Sequence, residues 1–139
     1  MELYIGGFAQ GKTEYVREKY REKKMTVWKT LPEDAEKFTA DPALTDMVVV
    51  EDFHLMIRRK LEMRVDMDAW FQGMVGRIKE LEQQGIKVVV ISDEVGNGIV
   101  PMDPFEREWR ECVGRRLTGL AKEAECVERV ICGMGQRIK

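Results

Sequence analysis

Hydrophobic positions fall into short continuous runs that alternate with ladders spaced three or four residues apart. Leu3-Tyr4-Ile5, residues 25–28, Met47-Val48-Val49-Val50, residues 86–91 and residues 127–131 read as strands, and residues 136–139 as a short edge. The ladders between them predict helices. Over residues 12–22, Tyr15, Val16 and Tyr20 share one side and the Arg17 to Lys24 charge run forms a solvated face. Thr30-Leu31-Pro32-Glu33 has the form of a capping box, opening a helix that fades near Ala40. A weak pattern covers residues 53–64. A strong one covers 68–84, where Trp70, Phe71, Met74, Val75, Ile78 and Leu81 share a face and Gly85 stands as the cap. In the last helix Asp103 is the N-cap, Pro104 takes the first position and Glu106 completes the pair, with Phe105, Trp109, Cys112, Val113, Leu117, Leu120, Ala121 and Ala124 following at helical spacing. Strands alternating with helices predict an α/β layer fold around a mostly parallel sheet.

Composition narrows this picture. The 139 residues include no repeat or linker, which predicts one domain over 1–139. Charges nearly cancel, at a net -2, so the basic footprint of a nucleic-acid binder is missing. No apolar run approaches the ~20 residues that span a bilayer, and Met1 to Ile5 reads as a strand rather than a leader. Cys112, Cys126 and Cys132 form no CxxC pair, and with the single histidine, His54, they make no zinc set. Reduced thiols in a cytoplasm are the expectation.

Between the first strand and first helix, Gly6-Gly7-Phe8-Ala9-Gln10-Gly11-Lys12-Thr13 matches G-x-x-x-x-G-K-[ST]. Glycines let the backbone bend and aim successive N–H groups at a phosphate, and the helix N-terminus adds partial positive charge. Lys12 would reach the β- and γ-phosphates of a nucleoside triphosphate, and the Thr13 hydroxyl would bind Mg²⁺. A second acid is needed near the metal, and Glu51 and Asp52 follow the buried strand 47–50 as such an acid should. Glu94 lies at another strand end, beside a loop carrying Gly96 and Gly98. Arg110 and Arg115 lie on the polar side of the last helix, as solvated surface or as a phosphate clamp.

These residues carry a resemblance. Glu94-Val95-Gly96-Asn97-Gly98-Ile99-Val100-Pro101 resembles the E-V-G-x-G-I-V-P signature of the bifunctional adenosylcobinamide kinase/adenosylcobinamide-phosphate guanylyltransferases of cobalamin biosynthesis. The phosphate loop, Val48-Val49-Val50-Glu51, Val113-Gly114-Arg115 and the run from Gly133 to Lys139 resemble further family motifs. The resemblance implies a P-loop NTPase-like (RecA-like) mostly parallel sheet flanked by helices, and a homo-oligomer, typically a trimer. It implies ATP- or GTP-dependent phosphorylation of the corrinoid's aminopropanol hydroxyl, followed by guanylyl transfer through a covalent guanylyl-histidine.

The family places that histidine between the second strand and the acidic strand. Residues 29–46 hold neither histidine nor arginine, so no position takes the role over. His54 lies beyond Glu51. It is either a substitute phosphoramidate nucleophile or a packing residue at a helix start. The sequence therefore points to a Mg²⁺-dependent corrinoid kinase. Its catalytic candidates are Lys12, Glu51, Asp52 and Glu94, its metal candidates Thr13, Glu51 and Asp52, and its substrate-binding candidates Gly96, Gly98, Arg110 and Arg115. Retained guanylyl transfer and a noncatalytic nucleotide-binding protein are the alternatives.

Overall fold

The computed structural model describes residues 1–29 and 39–139. The capping box at Thr30 to Glu33 lies outside the described residues. The elements in chain order are β1 (Glu2–Gly6), α1 (Lys12–Lys19), β2 (Met25–Trp28), β3 (Met47–Val50), α2 (Phe53–Glu62), α3 (Met67–Gln83), β4 (Lys87–Asp93), α4 (Pro104–Glu123), β5 (Cys126–Ile131) and β6 (Met134–Arg137). The six strands form one sheet in the order β2-β3-β4-β1-β5-β6. Every neighbouring pair is parallel except β5 with β6. The architecture is the α/β, P-loop NTPase-like sheet that the sequence predicts.

Alternation along each strand sorts the core into two layers. Leu3, Val48, Val50, Val88, Val90 and Val127 pack against α2, α3 and α4. Tyr4, Met47, Val49, Val89, Ile91 and Val130 face the other way, toward Val16 of α1. The caps follow local chemistry. Asp66 accepts hydrogen bonds from the N–H groups of Asp68 and Ala69 to start α3. Gly85, at φ 84°, ends it by donating to the Glu82 carbonyl while Ile86 donates to that of Leu81. Helix α1 stops at Lys19, earlier than predicted. Tyr20 turns its hydroxyl onto Glu2, and the charged residues after it have no apolar stripe to bury. Strand β4 runs on to Asp93, two residues past the predicted Ile91, and β6 begins at Met134 rather than Gln136.

The α1 side of the sheet also carries a buried polar network. Glu2 accepts from Tyr4 at 2.6 Å and from Tyr20, and pairs with Lys87 at 2.6 Å. Glu128 accepts from Tyr15 at 2.7 Å and pairs with Lys19. Burial alone would raise the Glu2 carboxyl, but hydrogen bonds from Lys87, Tyr20 and Tyr4 outweigh it and hold the group down at about 2. A pKa lower in the folded than in the unfolded chain stabilises the fold above the ordinary carboxyl value of 4.5, and this stabilisation is lost as pH falls from there toward 2. The loss is worth about 3 kcal/mol. Thermal melts between pH 6 and pH 2 should show a fall that Glu2→Gln flattens; identical curves for both proteins would exclude this origin.

Candidate active site

Strand β1 ends at Gly6 with no room for a side chain, since a Cβ there would lie 2.4 Å from the Val130 carbonyl oxygen of β5. The chain then loops through Ala9, at φ 55°, and Gly11, at φ 78°, into α1. Gly11 is the N-cap and supplies no side-chain acceptor, so the first N–H groups of α1 keep their capacity for an anion. The loop is braced from outside by the β5–β6 turn. Cys132 and Gly133 both adopt positive φ, the arrangement of a type I′ hairpin turn. Their N–H groups donate to the Gln10 side-chain and backbone oxygens, each at 2.9 Å.

The loop opens on a cleft of about 500 Å³ lined by Phe8 to Glu14, Asp52, His54, Leu55, Ile91 to Asp93, Val95 and Trp109. It stands at the carboxyl ends of the strands, where open α/β sheets bind ligands. Lys12 is buried here. Its ammonium donates to the Gly7 carbonyl at 2.7 Å and lies 2.5 Å from Asp93 Oδ1. Asp93 ends β4, which stands between β1 and β3 and so brings this acid next to the loop.

His54, in the first turn of α2, faces the same carboxylate. Its Nδ1 accepts the backbone N–H of Asp93 at 3.2 Å, its Nε2 lies 3.6 Å from Asp93 Oδ2, and its carbonyl accepts from Trp109 Nε1 at 2.8 Å. Burial pushes the imidazole pKa down; Asp93 and Asp52 oppose that shift and Lys12 adds to it. The ring is therefore neutral, and with Nδ1 accepting, its proton sits on Nε2. Asp52 lines the cleft in a left-handed conformation, φ 53°, which Asp tolerates better than most residues.

The structure thus gathers Phe8 to Thr13, Asp52 and His54 around one cleft, with Gly6 and Gly7 leading into it from β1, and it sends other candidates elsewhere. Glu51 is buried against α1, where Arg17 reaches it at 3.2 Å and Lys29 at 3.5 Å, and it does not line the cleft. Glu94 accepts from Arg129 at 2.8 Å and Asn97 at 3.3 Å, also outside the cleft lining. Arg115 is exposed and pairs with Glu111 along α4. Arg110 donates to the Ile99 carbonyl at 2.9 Å, pinning the loop that carries Gly96 and Gly98. Asp93, Trp109 and Leu55 line the cleft but were not among the site candidates of the sequence. The signal for Asp93 was present: counting by twos from Val89 and Ile91 puts it on the face turned to the lysine.

Comparison with known proteins agrees with this architecture. A family model described as cobinamide kinase / cobinamide phosphate guanyltransferase matches residues 4–138. The bifunctional adenosylcobalamin biosynthesis protein CobU of Salmonella typhimurium is 32% identical over 113 residues, covering 73% of this chain and 62% of that protein. The protein of the same name from Escherichia coli K12 is 43% identical over 53 residues, covering 38% of this chain and 29% of its own length. The chain therefore spans less than two thirds of the relatives it matches.

Proposed function

The chain belongs to the cobinamide kinase / cobinamide phosphate guanyltransferase family, and we propose that it performs the first of those two reactions, phosphoryl transfer from ATP or GTP to the hydroxyl of adenosylcobinamide. The observation that carries this reading is the glycine loop whose lysine shares one cleft with the carboxylate at the end of β4. Loop N–H groups and the N-terminus of α1 would cradle the triphosphate, and Lys12 would balance charge on the transferred group. Thr13 and Asp52 offer a hydroxyl and a carboxylate in the same cleft. Such hard oxygen donors suit Mg²⁺, which takes few protein ligands and relies on phosphate oxygens and water for the rest. That ion, when bound, would neutralise developing charge on the phosphates.

The cleft mouth suits a large, partly apolar acceptor. Phe8 and Leu55 are exposed at its lining, and Ile99, Val100 and Met102 are exposed on the nearby loop held to α4 by Arg107 and Arg110. A homo-oligomer belongs to the same proposal. The test is incubation with adenosylcobinamide and ATP or GTP, with mass spectrometry of product and protein. The expected result is a phosphorylated corrinoid and an unmodified protein. Nucleotide binding without corrinoid turnover would replace this reading with a noncatalytic one.

The protein arm of that experiment addresses guanylyl transfer. A histidine whose Nδ1 accepts a backbone N–H and whose Nε2 holds the proton presents no free lone pair to a phosphate. Labelled GTP should therefore leave no acid-labile adduct on His54, and recovery of a guanylylated His54 peptide would restore the two-reaction reading.

A further inference from the structure

Three carboxylates stand at the carboxyl ends of β3 and β4 besides Asp52, and their surroundings separate them. Glu51 is neutralised by Arg17 and Lys29, and Glu94 is neutralised by Arg129. Asp93 alone among the described acids pairs with the loop lysine, at 2.5 Å, and it opens on the cleft. Its position is fixed from two directions. The Asp93 N–H is held by His54 Nδ1, and His54 is held in turn by Trp109 of α4. The side chain therefore sits on an anchored strand end rather than a loose loop.

That contact has a consequence for the incoming nucleotide. A triphosphate entering the glycine loop brings several negative charges to the Lys12 ammonium, which cannot serve it and Asp93 equally at close range. The carbonyl of Gly7 already takes one of the three ammonium N–H groups. Phosphate binding therefore competes with the Asp93 contact for the same ammonium. Once released, the carboxylate lies within reach of the lysine and therefore near the transferred phosphoryl group, on a cleft wall shared with the apolar rim.

We propose that Asp93 is the resident counter-ion of Lys12 in the empty site and, once the triphosphate takes the lysine, the group that orients the acceptor hydroxyl and receives its proton. In the step, the hydroxyl oxygen forms a bond to the γ-phosphorus while the bond from that phosphorus to the β–γ bridging oxygen breaks. The nucleoside diphosphate leaves, and the hydroxyl proton passes to Asp93 and on to solvent. The proton-accepting role rests on the kinase reading above; the exchange at Lys12 does not.

Asp93→Asn tests both halves, because it keeps shape and the backbone N–H but removes the charge. Binding of ATP, GTP and inorganic tripolyphosphate is measured by calorimetry without acceptor, and phosphoryl transfer to adenosylcobinamide is measured separately. The expected result is three- to ten-fold tighter binding of all three ligands, with turnover at saturating nucleotide reduced at least about 100-fold. Unchanged or weaker binding overturns the exchange. Turnover within about threefold of wild type overturns the proton-accepting role. Wild-type protein that transfers nothing to the corrinoid overturns the kinase reading and that role with it, and the binding arm still decides the exchange. Asp93→Ser repeats the experiment if the asparagine variant does not give a cooperative melt.

Discussion

Lys12→Ala is expected to leave a folded protein that binds nucleoside triphosphate about 10- to 100-fold more weakly and turns it over at least about a thousandfold more slowly. The lysine is buried, and its ammonium is the cation held at the centre of the loop, between the Gly7 carbonyl and Asp93. On the proposed reading, removing it deletes charge-assisted hydrogen bonds to the phosphates in the bound state, and more of them as charge builds on the leaving group. The fold should survive, because Asp93 remains partly open to the cleft, at 13% side-chain exposure, and water can replace the lost partner. Steady-state turnover and a thermal melt of the same sample check this. Turnover equal to wild type would remove the glycine loop from the chemistry.

A second large effect comes from a residue with no side chain. Gly6→Ala is expected to lower the melting temperature by roughly 6–12 °C, the equivalent of about 2–3 kcal/mol, and to weaken nucleotide binding along with it. The new methyl would lie 2.4 Å from the Val130 carbonyl oxygen, and a backbone atom cannot turn aside as a long side chain can. The strain must be relieved by parting β1 from β5, at the level where the loop leaves the sheet. Gly7→Ala is the control. Its Cβ would meet Gln10 Cγ no closer than 3.5 Å and should leave the melt nearly unchanged. Equal behaviour of the two variants would show that close packing at Gly6 is not what seats the loop.

The strands and long helices were legible because each is bounded by local chemistry that the sequence spells out. Four apolar residues ahead of Glu51, the Asp103-Pro104 start of α4 and the Gly85 stop of α3 act within a few residues. The phosphate loop was legible for the same reason. The division of labour among the acids was not. Glu51, Asp52, Asp93 and Glu94 all read as polar residues at strand ends, and their roles depend on which distant cation each meets. Arg129 claims Glu94 from 35 positions away, and Arg17 claims Glu51 from 34. Such pairings are set by strand order, in particular by β4 lying between β1 and β3, and no local pattern encodes strand order. His54 was visible as the lone imidazole, but its hydrogen bond to the Asp93 amide became apparent only with α2 laid beside β4.

The brace on Gln10 bears on how the chain is made. Cys132 donates to a side chain 122 positions earlier, so a ribosome completes the glycine loop long before it completes the turn that supports it. Until β5 has docked beside β1, the loop lacks both its neighbouring strand and the N–H groups that hold Gln10. On the proposed reading, nucleotide would therefore stabilise the finished protein by mass action but give little help to the growing one. The N-terminal half must rely on its own apolar strands, and on whatever shields them, during synthesis.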